Sequence, residues 1–256
     1  MQQTQPTSGS CDAVVIIKAA PHVGERHGET VCCAAIDLYG NWLRLYPISF
    51  RSLEKGQKFS RWDRIRFKWR KPSDDRRLES RRVEQQSIEI VGSLKQADRS
   101  KFLANSIVTS LERERTEGRS LALLMPKVKR FWFNRKANED LEVELQQFAT
   151  ARAQADLFVE SILPYKPCPY KFRYQYETDD GERKGTCQDW EIEATFYKWA
   201  KLYGEEDALK RVSAVFGEEM PKKGVLFAMG THSRWPDKWL INGIIRLDDI
   251  EQKSLL

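Results

Sequence analysis

Residues Arg64–Lys71 have the sequence RIRFKWRK, in which cationic and apolar side chains alternate strictly. Alternation with a period of two is typical of a β-strand that has one buried face and one exposed face. The apolar side chains would face a core, and the cations would form an exposed row with neighbours about 6.7 Å apart. Pro72 ends the strand because it cannot donate to a sheet ladder. The row consists of Arg64, Arg66, Lys68 and Arg70.

The wider segment Arg61–Arg82 carries the charge excess of the protein. It contains eight Arg and two Lys against four acidic residues, a net charge of +6, which equals the net charge of all 256 residues. A local basic stretch says more about partners than the overall charge does. Two interpretations stay open. In the first, the row is a solvated sheet face whose charges prevent aggregation. In the second, which we favour, it is a binding surface for a phosphate backbone, since the planar guanidinium of Arg binds phosphate through two hydrogen bonds.

Strand patterns dominate the part of the chain around the basic row. Thr30–Asp37 and Trp42–Tyr46 predict a β-hairpin, and Ala13–Ile17 predicts a further strand. Arg82–Ile90 is expected to pair with the basic strand. We expect residues 1–12 to form a disordered tail, since they are polar and precede the first apolar run.

Helical patterns follow the basic segment. Gln96–Glu117 and Asn138–Leu157 carry apolar side chains near helical spacing. The Pro-rich stretch Pro164–Pro169 then interrupts the chain and predicts an internal boundary. Beyond it we expect a strand, two helices and a closing hairpin, at Tyr170–Tyr176, Trp190–Tyr203, Glu206–Glu218 and Val225–Leu247.

The order of these elements predicts an α+β fold, a small mixed β-barrel with a helical insertion. Residues 13–163 would form a β-rich basic region that contains the insertion. Residues 164–256 would form an α+β part that completes the fold. The basic region would also contain the loop after the basic strand, where Asp and Glu are expected to pair with some of the Arg side chains.

Aromatic side chains share one face of the predicted strand Tyr170–Tyr176, with cations on the other face. Aromatic rings interleaved with cations are typical of surfaces that bind single-stranded nucleic acid. Core packing explains about two of the four aromatic rings without a ligand. Tyr174 is the candidate for stacking on a base. Trp235, in the loop of the closing hairpin, is a second stacking candidate.

An enzymatic interpretation depends on Asp189, Glu191 and His232. The two carboxylates could hold a divalent metal for phosphodiester cleavage, and His232 could be a general base. However, Asp189 also fits a helix-capping box that begins at Thr186. The residue spacing predicts no metal site. We therefore keep the enzyme as an alternative.

Several classes of protein are excluded by what the sequence lacks. It contains no P-loop and no dinucleotide-binding glycine motif, and we expect no cofactor. No apolar run is long enough to span a membrane. The start of the chain does not have the pattern of a secretory signal. Five cysteines without a C-x-x-C pair fit a reducing cytoplasm.

Two sets of segments resemble an uncharacterised family of prokaryotic proteins. The first set is Gly28–Ile48 and Phe59–Asp63, and the second is Asp189–Glu191 and Met229–Gly243; together they span about a third of the chain. This resemblance implies no activity. The order of β and α segments and the closing hairpin Val225–Leu247 are also similar to small PUA/ASCH-like β-barrels. That second resemblance implies binding of RNA or of modified bases, by analogy of fold alone.

We therefore predict a cytoplasmic nucleic-acid-binding protein that recognises a phosphate backbone and, in the fuller hypothesis, a flipped or modified base. One alternative is a metal-dependent nuclease or base-processing enzyme. The other is an interaction subunit that docks an acidic protein partner, and no membrane partner is expected. The predicted nucleic-acid-binding residues are Arg44, Arg51, Arg64, Arg66, Lys68, Arg70, Arg77, Arg81, Tyr174 and Trp235.

Overall fold

The computed structural model describes residues 6–24, 28–154, 165–232 and 235–247. The first half of the chain forms strands that surround one core. These strands are β1 (Ser8–Lys18), β2 (His22–Gly24), β3 (Gly28–Asp37), β4 (Trp42–Ile48), β5 (Asp63–Arg70), β6 (Ser80–Val83) and β7 (Glu89–Ser93).

Five of these strands close into a barrel. Their order is β1-β3-β4-β6-β5, and β5 pairs back with β1 to complete the circle. β2 extends the barrel sheet beside β3, and β7 extends it beside β5. The interior is apolar because side chains alternate along every strand. The predicted α+β fold with a small β-barrel and a helical insertion is confirmed.

The basic strand is β5. Ile65 and Phe67 are fully buried in the barrel, while Arg66 and Lys68 are exposed, as the alternation predicts. Trp69 is half-buried at the end of the strand. Burial of the apolar residues fixes the register of β5 and so turns its cations outward, because a shift by one residue would exchange the two faces.

The rest of the chain forms helices and a second sheet. The helices are α1 (Gln96–Leu103), α2 (Leu111–Thr116), α3 (Asn138–Gln154), α4 (Trp190–Tyr203), α5 (Glu205–Val212) and α6 (Met220–Lys223). The strands are β8 (Ile107–Val108), β9 (Leu121–Leu124), β10 (Lys127–Arg135), β11 (Tyr170–Thr178), β12 (Gly181–Cys187), β13 (Val225–His232) and β14 (Trp235–Arg246). Their order in the sheet is β10-β11-β12-β14-β13-β9-β8.

The second sheet has a core of its own, which α4 and α5 cover. All four aromatic side chains of β11 are buried in this core. The Tyr174 ring packs against Phe131 and Phe227, and its hydroxyl donates to the carbonyl oxygen of Phe216 at 2.9 Å. The prediction of Tyr174 as a stacking residue is therefore corrected, since no base can reach a ring that is 1% exposed.

The outer face of the barrel packs against the second sheet. Val14 and Ile36 of the barrel share an apolar cluster with Leu123 of β9 and with Leu226 and Ile245 of the closing hairpin. Because of this contact, β1 and β3 are buried on both faces, against the barrel interior on one and against the second sheet on the other. The contact leaves the exposed face of β5 and the end of the barrel beside β4–β6 open.

Several predicted elements differ from the structure. Arg82–Ile90 is not one strand, because the 3-10 turn Gln85–Ser87 separates β6 from β7, and each of these strands pairs with β5. Gln96–Glu117 is not one helix, because Ala104–Ser106 forms a 3-10 turn and β8 pairs with β9. The helix predicted to end at Glu218 becomes a π-helical segment after Val212. β1 begins at Ser8, so residues 8–12 are part of the barrel instead of a disordered tail. The predicted boundary before Pro164 lies outside the described residues.

None of the helices in the described part of the chain is long and apolar enough to cross a membrane.

Candidate functional site

The cations of β5 differ in their surroundings. Arg66, Lys68 and Arg70 are exposed, whereas Arg64 is half-buried and its Nε atom is buried without a hydrogen-bond partner. Arg70 lies directly opposite Arg82 of β6. Like charges at opposed positions of neighbouring strands repel each other. The row is therefore most cationic toward the end of β5.

Arg66 is neutralised by the neighbouring strands. Its Nε donates to Asp12 Oδ1 at 2.7 Å and its Nη2 donates to Asp12 Oδ2 at 3.0 Å. On the other side it lies opposite Glu89 of β7. The hydrogen bond from Arg66 also holds the pKa of the Asp12 carboxyl below its ordinary value. Arg66 is thus less available to a ligand than the row alone suggested.

Lys68, Arg70 and Lys71 form what we call the free cation group. All three side chains are exposed, and none of them makes an ion pair with a residue that the structure describes. Exposed cations that make no ion pair are available to phosphate, although Lys68 has Glu84 as a neighbour, whose backbone N–H donates to the Lys68 carbonyl oxygen at 3.0 Å. The charge that the sequence assigns to the whole row is therefore concentrated at its end.

The loop after β5 pairs largely with itself, as expected. Arg77 donates to both carboxylate oxygens of Asp75, and Ser80 donates to Asp75 Oδ2 at 2.7 Å. Arg77 Nη1 also donates to the carbonyl oxygen of Thr231 at 2.7 Å, which ties the loop to β13. Arg77 therefore has a structural role in this arrangement.

A cleft of about 560 Å³ opens at the end of the barrel where β5 ends. Trp69, Lys71 and Arg81 line it from the barrel side, and Trp42 lines it at the start of β4. Asn105, in the 3-10 turn after α1, also lines it. The cleft is thus continuous with the free cation group through Lys71. Its volume is within the range of pockets that bind small molecules.

Arg81 and Trp69 form a stacked pair in the wall of the cleft. The Arg81 guanidinium carbon lies 4.3 Å from the centre of the Trp69 ring. Arg81 also donates to the carbonyl oxygens of Leu78 and Ser80. Burial is the main cause that lowers its pKa below the ordinary Arg value. Arg81 is the one predicted binding residue that the structure places in this cleft.

Two other predicted arginines lie away from the free cation group. Arg44 is 3% exposed and donates to the carbonyl oxygen and hydroxyl of Ser120. It cannot reach a surface phosphate from that position, so this prediction is corrected. Arg51 pairs with Glu29 at 2.9 Å and packs over the Tyr165 ring. Trp235 is exposed at the start of β14, outside the residues that line the cleft.

Two of the candidates for catalysis, Asp189 and Glu191, share one partner, since Arg61 Nη2 lies 3.2 Å from Asp189 Oδ2 and 3.4 Å from Glu191 Oε1. Asp189 is buried and accepts from the backbone N–H groups of Glu191 and Ile244 and from Arg61 Nη2. It is the N-cap of α4, so Thr186, which lies in β12, does not begin the predicted capping box. Within the described residues no three His, Cys, Asp or Glu side chains are placed to hold a metal ion. His232 ends β13 and is exposed.

Sequence reasoning missed the cleft because its walls come from distant segments. Trp69 was assigned to the core by alternation, and Trp42 was assigned to a hairpin strand. Asn105 was placed inside a helix. A half-exposed Trp near the end of a basic strand is the one feature that could have indicated the site.

The fold and the cleft together define a class of protein, in which a closed five-stranded barrel with a basic strand is joined to a seven-stranded sheet covered by helices. The chain belongs to the family described as a domain of unknown function, DUF8757, whose sequence model matches residues 104–256. The model of a second family, also described as a domain of unknown function, DUF8758, matches residues 10–107, which contain the barrel. The two matches meet in the 3-10 turn that lines the cleft.

A comparison with curated protein sequences found no match. Among solved structures, "Molecular basis for abrogation of activation of pro-inflammatory cytokines" is similar over 70% of this chain and 75% of its own, with 9% identity and a TM-score of 0.32. "Structure and Conformational Change of a Replication Protein A Heterotrimer Bound to ssDNA" covers 95% of this chain and 67% of its own, with 9% identity and a TM-score of 0.24. TM-scores this low support no argument about function.

Proposed function

We propose that this protein binds nucleic acid through the exposed face of β5. The observation that carries the proposal is the free cation group of Lys68, Arg70 and Lys71, which is exposed and makes no ion pair with any described residue. Phosphates would lie along the end of β5, where Arg70 and Arg82 are opposed. The closed barrel supports the likeness to PUA/ASCH-like domains as part of the same proposal.

The contacts favour β5 as the binding face over the other basic positions. Arg44 is buried and Arg77 is paired with Asp75, so neither offers a free charge. Arg66 is held between Asp12 and Glu89. The number of phosphates contacted should therefore be about three. Binding of a single strand should then weaken with salt with a slope of log K against log salt of roughly −2, or roughly −2.7 for a DNA duplex.

The test is a double charge reversal, Lys68→Glu with Arg70→Glu. Arg66 is left unchanged, because a Glu there would face Asp12 and Glu89 and would destabilise the barrel. The matched control is Lys198→Glu with Lys201→Glu on the exposed surface of α4, which makes the same change in net charge. Binding of fluorescein-labelled DNA and RNA oligonucleotides is measured by anisotropy at two salt concentrations.

We expect the reversal on β5 to weaken binding at least about 30-fold at low salt and to remove most of the salt dependence, since two of three phosphate contacts are lost. The control should stay within about threefold of wild type. Equal weakening in both variants would mean that only net charge matters, and the proposed face would be wrong. A salt-sensitive complex with an acidic protein, without affinity for any oligonucleotide, would favour the interaction subunit instead.

A further inference from the structure

The cleft beside the free cation group has the properties of a site for a flat, aromatic ligand. It is about 560 Å³ in volume, and its lining residues include Trp42 and Trp69, each of which is half-buried against an apolar cluster. The guanidinium of Arg81 lies over the Trp69 ring at 4.3 Å. Indole and guanidinium planes are the surfaces on which nucleobases stack in proteins that bind single strands.

The acidic groups of the cleft are already occupied. Asp37 accepts from the backbone N–H groups of Tyr39 and Asn41, at the β3–β4 turn. Glu79 accepts from the backbone N–H and hydroxyl of Ser120. Glu114 accepts from Arg119, at 2.5 and 2.8 Å. These carboxylates are committed to hydrogen bonds within the protein, so the groups left to bind a ligand are the cations, the indole rings and the Asn105 amide.

A polar side chain among the lining residues can recognise the edge of a base. The Asn105 side chain is exposed and lines the cleft. An amide offers both donors and an acceptor, which is the pattern that pairs with the edge of a base. A second, adjoining hollow shares Gly40, Asn105 and Ser106 with the cleft and is lined by Tyr39, which is 92% exposed. A ring so exposed is free to stack on a neighbouring base.

We infer that this cleft receives one unpaired nucleobase, stacked against Arg81 and Trp69 with its edge toward Asn105, and that the ligand is a single-stranded nucleic acid. The inference rests on the proposed function, because the free cation group would hold the phosphates of the same strand. The bases of an intact duplex are paired and stacked, so they cannot enter a cleft in the protein without being extruded. Discrimination between single and double strands therefore comes from the cleft, while the free cation group binds both.

The experiment compares four labelled ligands of equal length in anisotropy titrations. They are a single strand, the matched duplex, a duplex with one unpaired nucleotide, and a single strand whose central positions are abasic. The variants are Arg81→Lys, which keeps the charge but loses the plane, and Asn105→Ala. The control is Arg211→Lys, since Arg211 stacks over Tyr203 at 4.1 Å on the helices that cover the second sheet.

Stacking of one base contributes about 1–3 kcal/mol. We therefore expect the single strand to bind about 5- to 150-fold more tightly than either the matched duplex or the abasic strand. Arg81→Lys and Asn105→Ala should remove most of this preference without changing the salt slope, and the control should retain it. An unpaired nucleotide in a duplex should recover part of the preference if an extruded base can enter as well.

Two failures are distinguishable. Equal affinity for single strand, duplex and abasic strand, with loss of all binding in the β5 charge reversal, would overturn the inference and leave the proposed function standing. Absence of binding to every oligonucleotide would overturn both. Because Arg81→Lys could alter the barrel, its unfolding midpoint in urea is measured too, and Asn105→Ala, at an exposed side chain, gives an independent reading.

Discussion

At the scale of single residues, Asp189 shows how a carboxylate that looks catalytic can be structural. It is 1% exposed, and it joins the start of α4 to β14 through the N–H of Ile244 and to the barrel side through Arg61. A buried carboxylate with three donors is satisfied only while all of them remain in place. Its position at the junction of three segments makes it important for folding.

We predict that Asp189→Asn lowers the free energy of unfolding by about 3 kcal/mol, because it leaves Arg61 without its buried partner. Urea unfolding followed by tryptophan fluorescence measures this change. The control Asp207→Asn, at an exposed side chain of α5, should change the stability by less than about 0.5 kcal/mol. A fully stable Asp189→Asn protein would show that the carboxylate is not needed for the fold.

The Asp75 carboxyl gives a second residue-scale prediction, this time in acid. Burial opposes its ionisation, but the hydrogen bonds from Arg77 and Ser80 outweigh this and hold its pKa below the ordinary Asp value. Because the unfolded chain binds this proton at a higher pH than the folded protein does, the stabilisation is present above about pH 4 and is lost as the pH falls through the lowered pKa.

We therefore expect Asp75→Asn to be less stable than the wild-type protein by about 1 kcal/mol at pH 7, and the difference to shrink below pH 4. Urea midpoints at pH 7, 5, 4 and 3 measure it. Asp98→Asn, at an exposed residue of α1, provides the comparison. A difference that stayed constant down to pH 3 would contradict the role assigned to the ionised carboxylate.

The basic row was predictable at the residue scale, but its partners were not. Alternation in β5 identified which cations face outward, since this pattern is local. The pairing of Arg66 with Asp12, and the burial of Arg44 against Ser120, join residues 54 and 76 positions apart. Nothing local distinguishes a cation that will find such a partner from one that remains free. For this reason the proposed phosphate-binding residues are those of the free cation group instead of the whole predicted row.

At the scale of elements, closure of the barrel depends on the first half of β1. Residues Ser8–Asp12 pair with Arg70–Arg66 of β5, and Cys11 lies opposite Phe67. This polar end of β1 has no apolar pattern, so the sequence placed it outside the fold. It becomes a strand because β5 supplies a partner edge. Propensity is overridden here by tertiary pairing.

We predict that a protein starting at Ala13 is less stable than one starting at Pro6 by about 3–5 kcal/mol, because several ladder hydrogen bonds of roughly 1 kcal/mol each are lost. Thermal unfolding monitored by circular dichroism compares the two proteins. The protein starting at Pro6 retains the bond from the Lys71 N–H to the Thr7 carbonyl oxygen. Equal stability of the two would mean that the end of β1 contributes little to closure.

Helices were harder to predict than strands in this chain. Gln96–Glu117 has apolar residues at helical spacing, yet Ile107 and Val108 leave the helix to pair with Leu123 and Leu124 of β9. A strand of two residues cannot be recognised without knowing where β9 lies. The interruption matters for function, because it creates the 3-10 turn that forms one wall of the cleft.

At the scale of the whole molecule, the barrel and the second sheet share one apolar cluster and a buried polar network. Val14 and Ile36 pack against Leu226. Arg44 and Glu79 of the barrel both bind Ser120, which precedes β9. Breaking the two parts apart would expose apolar surface and leave both charges unsatisfied.

We therefore expect the full chain to unfold in a single transition, with circular dichroism and tryptophan fluorescence reporting the same urea midpoint. A fragment of residues 1–103 should aggregate, since it would expose the outer face of β1 and β3. Light scattering and analytical ultracentrifugation test this. A monomeric fragment with a cooperative transition of its own would show that the barrel is independent of the second sheet.

The general architecture could be predicted from the sequence, whereas the arrangement of the two parts could not. Strand alternation and the order of elements indicated an α+β protein with a barrel. The two family matches meet at residues 104–107, which marks a junction there. The composition of the chain did not indicate this junction, because the Pro-rich stretch near Pro164 has the stronger local signal. The cleft lies at that junction and was therefore hidden from sequence reasoning.

The position of the closing hairpin in the second sheet has a consequence for how the protein is made. β13 lies between β14 and β9, so the strand that pairs with Leu121–Leu124 is synthesised about a hundred residues after them. On the ribosome, β9 remains without β13 until the closing hairpin has been made, whereas the barrel can close once β6, which joins β4 to β5, has emerged. Pairings so distant along the chain slow folding and leave apolar strands exposed meanwhile. From the completion of the barrel until β13 and β14 have emerged, the newly made chain is therefore most prone to aggregate.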